Sequence, residues 1–226
     1  MEPRVAFGTF SYDLAHLLGG AVLVLSFGLL YQRRISAVIN LYAVQAVMLA
    51  AAAAWQGKVQ GAPELFLTAL ITLGAKGVAM PLALHNIVRR LRIHRAVETA
   101  LGVFPSMVIG VALVALAIMV VLPTTLQSQA LTREDLALAL SVVLLGLLMM
   151  ITRTSALTQV IGFLSLENGL ILAAVGVAGM PMVVELSVAV LVLLAFIVFG
   201  LFFFRIRRQF DSLDVSHLDR VGEAHR

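Results

Sequence analysis

Two ionisable residues lie deep inside apolar stretches of this sequence, where their chemistry would concern protons or ion pairs. Glu167 and Lys76 each lie about eleven residues into a hydrophobic run. Such a length of helix rises ~16 Å, about half of the hydrocarbon core of a bilayer. A charged side chain at that depth costs ~2.5–3.5 kcal/mol on insertion scales, so it is a candidate for function by default. The two residues therefore favour a proton relay, with a purely structural ion pair as the alternative.

Further titratable residues lie nearer to the ends of the apolar runs. Glu185 begins the last run, and His85 lies close to the end of the third. Each is a candidate for proton uptake or release, although an interfacial side chain in contact with water is the simpler interpretation. The same interpretation applies to Tyr12, Asp13 and His16 near the outer end of the first run. The proton-relay candidates are therefore Glu167, Lys76, Glu185 and His85.

The sequence does not indicate independent enzyme chemistry. No local pattern resembles a hydrolase nucleophile elbow, a phosphate-binding loop or a zinc-binding helix. The polar residues within the apolar runs supply hydrogen bonds but no nucleophile with an evident base: Asn40, Gln45, Ser165 and Asn168. Because cysteine is absent, the chain offers no disulfide and no thiolate ligand for iron–sulfur clusters, nickel or structural zinc. We therefore expect no metal, no cofactor and no catalysis in this chain alone.

Transmembrane helices are the elements that would position these residues. Of the 226 residues, 61% are hydrophobic and 12% are charged, and the mean hydropathy is +1.03. These values exclude an ordinary soluble domain and predict an all-α polytopic membrane bundle. Seven apolar runs predict seven spans, at roughly 14–31, 35–56, 65–88, 103–123, 136–151, 156–179 and 182–204. The first residues lack the basic and small-residue pattern of a removable signal peptide.

Basic residues predict the orientation of the seven spans. One side would carry four clusters, at Arg33/Arg34, Arg89/Arg90/Arg92/Arg95, Arg153 and Arg205/Arg207/Arg208. The other side would carry Arg4, Lys58 and Arg133, the last beside Glu134 and Asp135. The positive-inside rule then predicts an external N-terminus and a cytoplasmic C-terminus. The net charge of +4 is spread over these turns, so we do not expect nucleic acid as a partner.

A weak internal repeat indicates how the spans are organised. Residues 34–38 (Arg-Ile-Ser-Ala-Val) are similar to residues 153–157 (Arg-Thr-Ser-Ala-Leu), and in both halves a proline turn and a helix with a basic end follow. Spans one to three and five to seven would then be parallel copies, with chance similarity as an equal alternative. The predicted regions are three helices in 1–102, a connector in 103–133, three helices in 134–208 and a tail in 209–226.

The last third of the chain resembles subunit K of NADH-quinone oxidoreductase and the C subunit of multisubunit cation/proton antiporters. The resemblance covers residues 136–208: a short first helix, the basic turn at Arg153, the segment 162–168 (Gly-Phe-Leu-Ser-Leu-Glu-Asn) and the basic exit at 205–208. With its four additional N-terminal helices, the full chain is most similar to component E of hydrogenase-4, a membrane subunit of group 4 nickel-iron hydrogenases.

The resemblance implies a non-catalytic subunit of a complex-I-like assembly in the bacterial inner (cytoplasmic) membrane. Antiporter-like membrane subunits and a redox arm would be its partners, and nickel-iron and iron–sulfur centres would lie only in partner subunits. In the family, the glutamate at the position of Glu167 belongs to a chain of charged groups. A second glutamate is common in the middle of the last helix, where residues 191–195 of this chain (Leu-Val-Leu-Leu-Ala) are apolar. If the repeat is real, Lys76 is equivalent to Leu194, and the missing charge lies in the first copy.

Two other classes of function remain open. A structural scaffold in such an assembly, or in a cation/proton antiporter, would use its buried charges only to fix helix packing. An independent transporter would also have duplicated helices and polar groups at the membrane midplane.

Overall fold

The computed structural model describes residues 4–90, 100–124 and 130–176, which all belong to one compact unit. The described part is helical and contains no strand, as the composition predicts. Its elements are α1 (Arg4–Tyr31), α2 (Ile35–Gln60), α3 (Glu64–Ile71), a π-helical segment π1 (Thr72–Ala79), α4 (Met80–Arg90), α5 (Val103–Thr124), α6 (Ala130–Thr152) and α7 (Ala156–Gly176).

Six helices in this part of the chain are long and apolar enough to cross a membrane. They are Asp13–Tyr31, Ile35–Gln60, Glu64–Arg89, Val103–Val121, Asp135–Thr152 and Ala156–Gly176, and the third comprises α3, π1 and α4. A helix suits this environment because it satisfies its own backbone hydrogen bonds. The first six predicted spans are thereby confirmed as membrane-compatible helices. The seventh, with Glu185, Leu194 and Arg205, lies outside the described residues, and the count of seven, the repeat and the orientation stay predictions.

The second and third spans are separated by a tight turn at Gly61. This residue has a φ of 67° and its amide donates a hydrogen bond to the carbonyl of Gly57. The left-handed backbone costs glycine little, and it closes the C-terminal end of α2. Pro63 follows and precedes the first residue of α3. The chain therefore reverses within a few residues and returns α3 along α2.

Four helices form the packed centre of the unit. α1 packs against α2 and α6, α2 packs against α7 and the third span, and α6 packs most extensively against α7. At Gly146 in α6, an added Cβ would lie only 2.6 Å from the backbone nitrogen of Leu166 in α7. Small residues permit such a close approach of membrane helices. Helices from the predicted regions 1–102 and 134–208 thus share one bundle.

Candidate functional site

Lys76 and Glu167 form an ion pair inside this bundle. Lys76 Nζ lies 3.0 Å from Glu167 Oε1, and each side chain is only 6% exposed. Lys76 is the thirteenth of the 26 residues of Glu64–Arg89, and Glu167 is the twelfth of the 21 residues of Ala156–Gly176. Both charges therefore lie halfway along their spans, at the depth that the sequence predicts. The structure adds that they are in contact.

A network of neutral polar side chains surrounds the ion pair and links four helical segments. Lys76 Nζ donates a hydrogen bond of 3.1 Å to Asn168 Oδ1, and Asn168 Nδ2 donates one of 3.2 Å to Gln45 Oε1. Gln45 Nε2 in turn donates to the hydroxyls of Ser26, at 2.7 Å, and Ser165, at 3.0 Å. All of these side chains are buried. We refer to this group, Ser26, Gln45, Lys76, Ser165, Glu167 and Asn168, as the midplane cluster.

The π-helical segment positions Lys76 within this cluster. π1 carries Gly74 and Gly77 on either side of Lys76, and it packs against α2 and α4. A Cβ added at Gly77 would be in ordinary contact with Val47 of α2, at 3.6 Å, whereas one at Gly74 would meet nothing within 4 Å. π-helical turns within α-helices are frequent at functional sites. Here the wider turn lies where the only charged residue of π1 meets α7.

The carboxylate of Glu167 keeps unused hydrogen-bonding capacity. The ammonium of Lys76 lies 3.0 Å from Oε1, whereas Oε2 is buried without a hydrogen-bond partner among the described residues. The hydroxyl of Tyr42, fully buried and also without a partner in this part of the chain, lies within electrostatic range of Glu167. Buried polar atoms left without partners are costly. The site can thus accept a proton or a donor at Glu167.

The other sequence candidates lie away from the ion pair. His85 Nδ1 is 2.9 Å from the carbonyl of Pro81 in its own helix, and nine residues of helix separate it from Lys76, a rise of ~13 Å. Asn40 and Asp13 are exposed, consistent with the interfacial interpretation of Asp13. Glu185 lies outside the described residues. Of the four relay candidates, the structure therefore brings together Glu167 and Lys76.

A second buried polar group, at Asp135, escaped the sequence analysis. The sequence places Asp135 beside Arg133, directly before the predicted span 136–151, but Asp135 lies within α6 and is 5% exposed. Its Oδ1 is 3.5 Å from Nδ1 of His16, and its Oδ2 accepts a hydrogen bond of 3.2 Å from Gln56. Because these partners come from α1 and α2, no local pattern marked them. His16 is 27% exposed and contacts this carboxylate, beyond the interfacial role expected of it.

Arg153 is a structural residue in addition to its predicted contribution to membrane orientation. Only 2% of it is exposed, and its Nη2 lies within hydrogen-bond distance of the carbonyls of Leu29, Leu30 and Gln32, at 2.8, 2.8 and 2.9 Å. Burial, and then the nearby charge of Arg33, lower the pKa of the Arg153 guanidinium below its ordinary value. The guanidinium satisfies the last carbonyls of α1, which have no partner within the helix. These hydrogen bonds thus hold the turn between α6 and α7 against the end of α1.

Comparison with known proteins gives one informative match. Over 216 residues the chain is 29% identical to Uncharacterized protein Rv0085 of Mycobacterium tuberculosis strain H37Rv. The match covers 95% of this chain and 98% of the relative, so the two proteins correspond over almost their whole lengths. No family model matches the chain. No solved structure matches it either. The resemblance to hydrogenase-4 component E is untested by these comparisons and stays a prediction.

Proposed function

We propose that this chain is a non-catalytic membrane subunit of a complex-I-like assembly of the hydrogenase-4 type, in which Lys76 and Glu167 carry protons or couple their movement to redox chemistry. The observation that supports this function is the buried ion pair halfway along two spans. Bringing two charges to that depth is expensive, and apolar side chains would pack there at lower cost. A function that needs a proton at the midplane explains their presence.

The pair can take up one proton while both side chains stay inside the bundle. When Glu167 is ionised, Lys76 balances its charge at 3.0 Å. A proton arriving on Glu167 removes that attraction, and Lys76 is then held by Asn168 at 3.1 Å. The neutral side chains behind Asn168 hold it in place through hydrogen bonds, so Lys76 can keep this contact in either protonation state of Glu167. A change of protonation on a neighbouring subunit would therefore alter the charge balance at the pair.

The decisive experiment compares proton movement with electron transfer in the assembled complex, in membrane vesicles. We expect Glu167→Gln and Lys76→Met to leave electron transfer to an artificial acceptor largely intact and to reduce the number of protons moved per electron. Glu64→Gln is the matched control, because it makes the same chemical change at an exposed helix start. Unchanged proton stoichiometry in both midplane variants would exclude the relay.

A structural scaffold is the second candidate, and a specific observation favours it. The single side chain of Gln45, in α2, connects this helix to α1 and α7 through hydrogen bonds with Ser26, Ser165 and Asn168. If the ion pair only completes this connection, Glu167→Gln lowers the amount of assembled complex and leaves the proton stoichiometry of the remaining complex unchanged. The proton stoichiometry of the complex that still assembles, measured beside the amount of each subunit in purified membranes, therefore separates the two candidates. Purification of the chain alone in a transport-competent form would instead support an independent transporter.

A further inference from the structure

The group around Asp135 lies at one end of the bundle, well away from the midplane cluster. It is completed by Gln60, whose Nε2 donates a hydrogen bond of 3.2 Å to Gln56 and one of 2.9 Å to the carbonyl of Val175. We refer to His16, Gln56, Gln60 and Asp135 as the end cluster. Along α2, Gln56 is eleven residues from Gln45, a rise of ~16 Å. The bundle thus contains two separate buried carboxylates, each with its own titratable partner.

An apolar layer lies between the two clusters. It consists of Val22, Leu49, Ala52, Ala139, Val142 and Leu172, which pack together and are at most 5% exposed. Along α2, Leu49 and Ala52 fall between Gln45 and Gln56, and along α7 Leu172 falls between Asn168 and Val175. Close-packed protein interiors contain few voids larger than a water molecule, so packed aliphatic side chains of this kind interrupt a chain of water molecules. Narrow apolar constrictions of this kind stop ions and protons by excluding water.

We propose that Asp135 and His16 form a second protonatable site, which exchanges protons with water at its end of the bundle, and that the apolar layer insulates it from Glu167. The inference rests on the proposed function in one respect, that the midplane pair handles protons at all. The inference adds a second site at which a proton can bind, and it adds the layer that prevents this proton from moving on to Glu167. The ligand of the second site is the proton.

The geometry of the end cluster suits proton exchange with water. His16 faces Asp135 from α1, Gln56 and Gln60 face it from α2, and Gly176 packs against its Cβ from α7. The imidazole is the partly exposed member, so a proton from water can bind at Nε2 while the proton on Nδ1 passes to Oδ1 of Asp135. The imidazole ends this exchange neutral, in its other tautomer. The atoms are 3.5 Å apart, so an approach of ~0.5 Å gives a hydrogen bond.

Infrared difference spectroscopy of the full chain in lipid nanodiscs tests both parts of the inference. Subtracting spectra of Asp135→Asn or Glu167→Gln from those of the unmodified protein isolates the carbonyl band of each protonated carboxyl group. After a rapid drop in pH, we expect the Asp135 band to appear promptly and any change at Glu167 to follow about tenfold later or more. That delay corresponds to ~1.4 kcal/mol or more of additional barrier. His16→Gln should delay the Asp135 band while leaving both carboxyl groups in place.

Opening the apolar layer should remove the delay at Glu167. We expect Leu49→Ser, and the milder Ala52→Ser, to accelerate the response of Glu167 about tenfold, a change of ~1.4 kcal/mol in the barrier. Leu170→Ser is the matched control, because Leu170 is 47% exposed on α7 outside the layer, and it should change nothing. Using the milder variant keeps the test valid if Leu49→Ser does not fold.

Three results would overturn the inference. An Asp135 band that never responds to pH would make the end cluster purely structural. A response of Glu167 as fast as that of Asp135 in the unmodified protein would mean that the layer does not insulate, as would an unchanged response in both layer variants. None of these results depends on a partner complex. Failure of the proposed function, seen as unchanged proton stoichiometry in the assembled complex, would leave these spectra as they are.

Discussion

Removing one partner of the buried ion pair should destabilise the protein far more than removing both. Lys76→Met leaves the carboxylate of Glu167 without a counter-charge. Glu167→Gln leaves the ammonium of Lys76 without a counter-charge. Each side chain is 6% exposed, so little water is available to compensate. Loss of one partner of a buried pair costs ~3–5 kcal/mol, whereas replacing the whole pair by neutral groups is often nearly neutral. We therefore expect each single change to cost ~3 kcal/mol or more.

The double variant Lys76→Met/Glu167→Gln gives the magnitude of the coupling. If the charges compensate each other at 3.0 Å, the double variant should be no less stable than either single variant. The coupling free energy, the difference between the double change and the sum of the single changes, should then be at least ~3 kcal/mol. This value exceeds the ~0.5 kcal/mol of non-additivity expected between independent sites. Glu64→Gln, at an exposed position, should be neutral.

Detergent-induced unfolding followed by tryptophan fluorescence provides the assay. The chain contains a single tryptophan, Trp55, which lies in α2 with Lys58 Nζ 5.4 Å from its ring centroid. Its emission therefore reports on the helix that carries Gln45, at the centre of the site. Additive single and double variants would refute the reasoning, because they would show that the two charges do not stabilise each other in the folded protein. A stable single variant would refute the assumed cost of an isolated charge.

Three further changes test other contacts in the same unfolding assay. Arg153→Met should cost ~2–4 kcal/mol because the end of α1 loses charged hydrogen bonds. Arg89→Met, at an exposed position, should be neutral, and equal effects of the two changes would contradict the role of Arg153 in holding the end of α1. Gly146→Ala should lower the free energy of unfolding by ~1–3 kcal/mol because the added Cβ would lie 2.6 Å from the backbone nitrogen of Leu166. Gly20→Ala should leave the stability unchanged because its added Cβ would meet nothing within 4 Å. Gln45→Leu should cost ~1–2 kcal/mol, within the range measured for hydrogen bonds between membrane helices, and no loss would mean that the polar network is unimportant for stability.

The spans and the depth of the two charges were predictable because they follow from local sequence. Hydrocarbon thickness fixes how many apolar residues a span needs, and six described helices have that length and composition. The depths of Lys76 and Glu167 follow from counting residues along each span. Their contact was not predictable, because it depends on how π1 is rotated against α7. The π-helical segment changes that rotation, and no residue pattern in the sequence predicted a π-helix there.

The residues whose burial the sequence did not indicate are those whose partners are distant in sequence. Arg153 and Asp135 both occur next to other polar residues at the ends of apolar runs, which is also the pattern of an exposed turn. Burial became possible because Arg153 reaches carbonyls of α1 and Asp135 reaches His16 and Gln56. These contacts join positions more than seventy residues apart. A single sequence contains the polar residues but not the pairing that satisfies them.

The separation of these polar groups determines which experiments can distinguish structure from function. Arg153 precedes α7, and Glu167 lies eleven residues after its first residue, Ala156, so ~16 Å of helix separates them. Effects of variants at that distance should add within ~0.5 kcal/mol. Arg153→Met can therefore lower stability by an amount comparable to Glu167→Gln without changing any charge at the midplane. If both variants reduced proton stoichiometry equally in the assembled complex, loss of stability would explain the result. A reduction confined to Glu167→Gln would assign proton movement to the carboxylate.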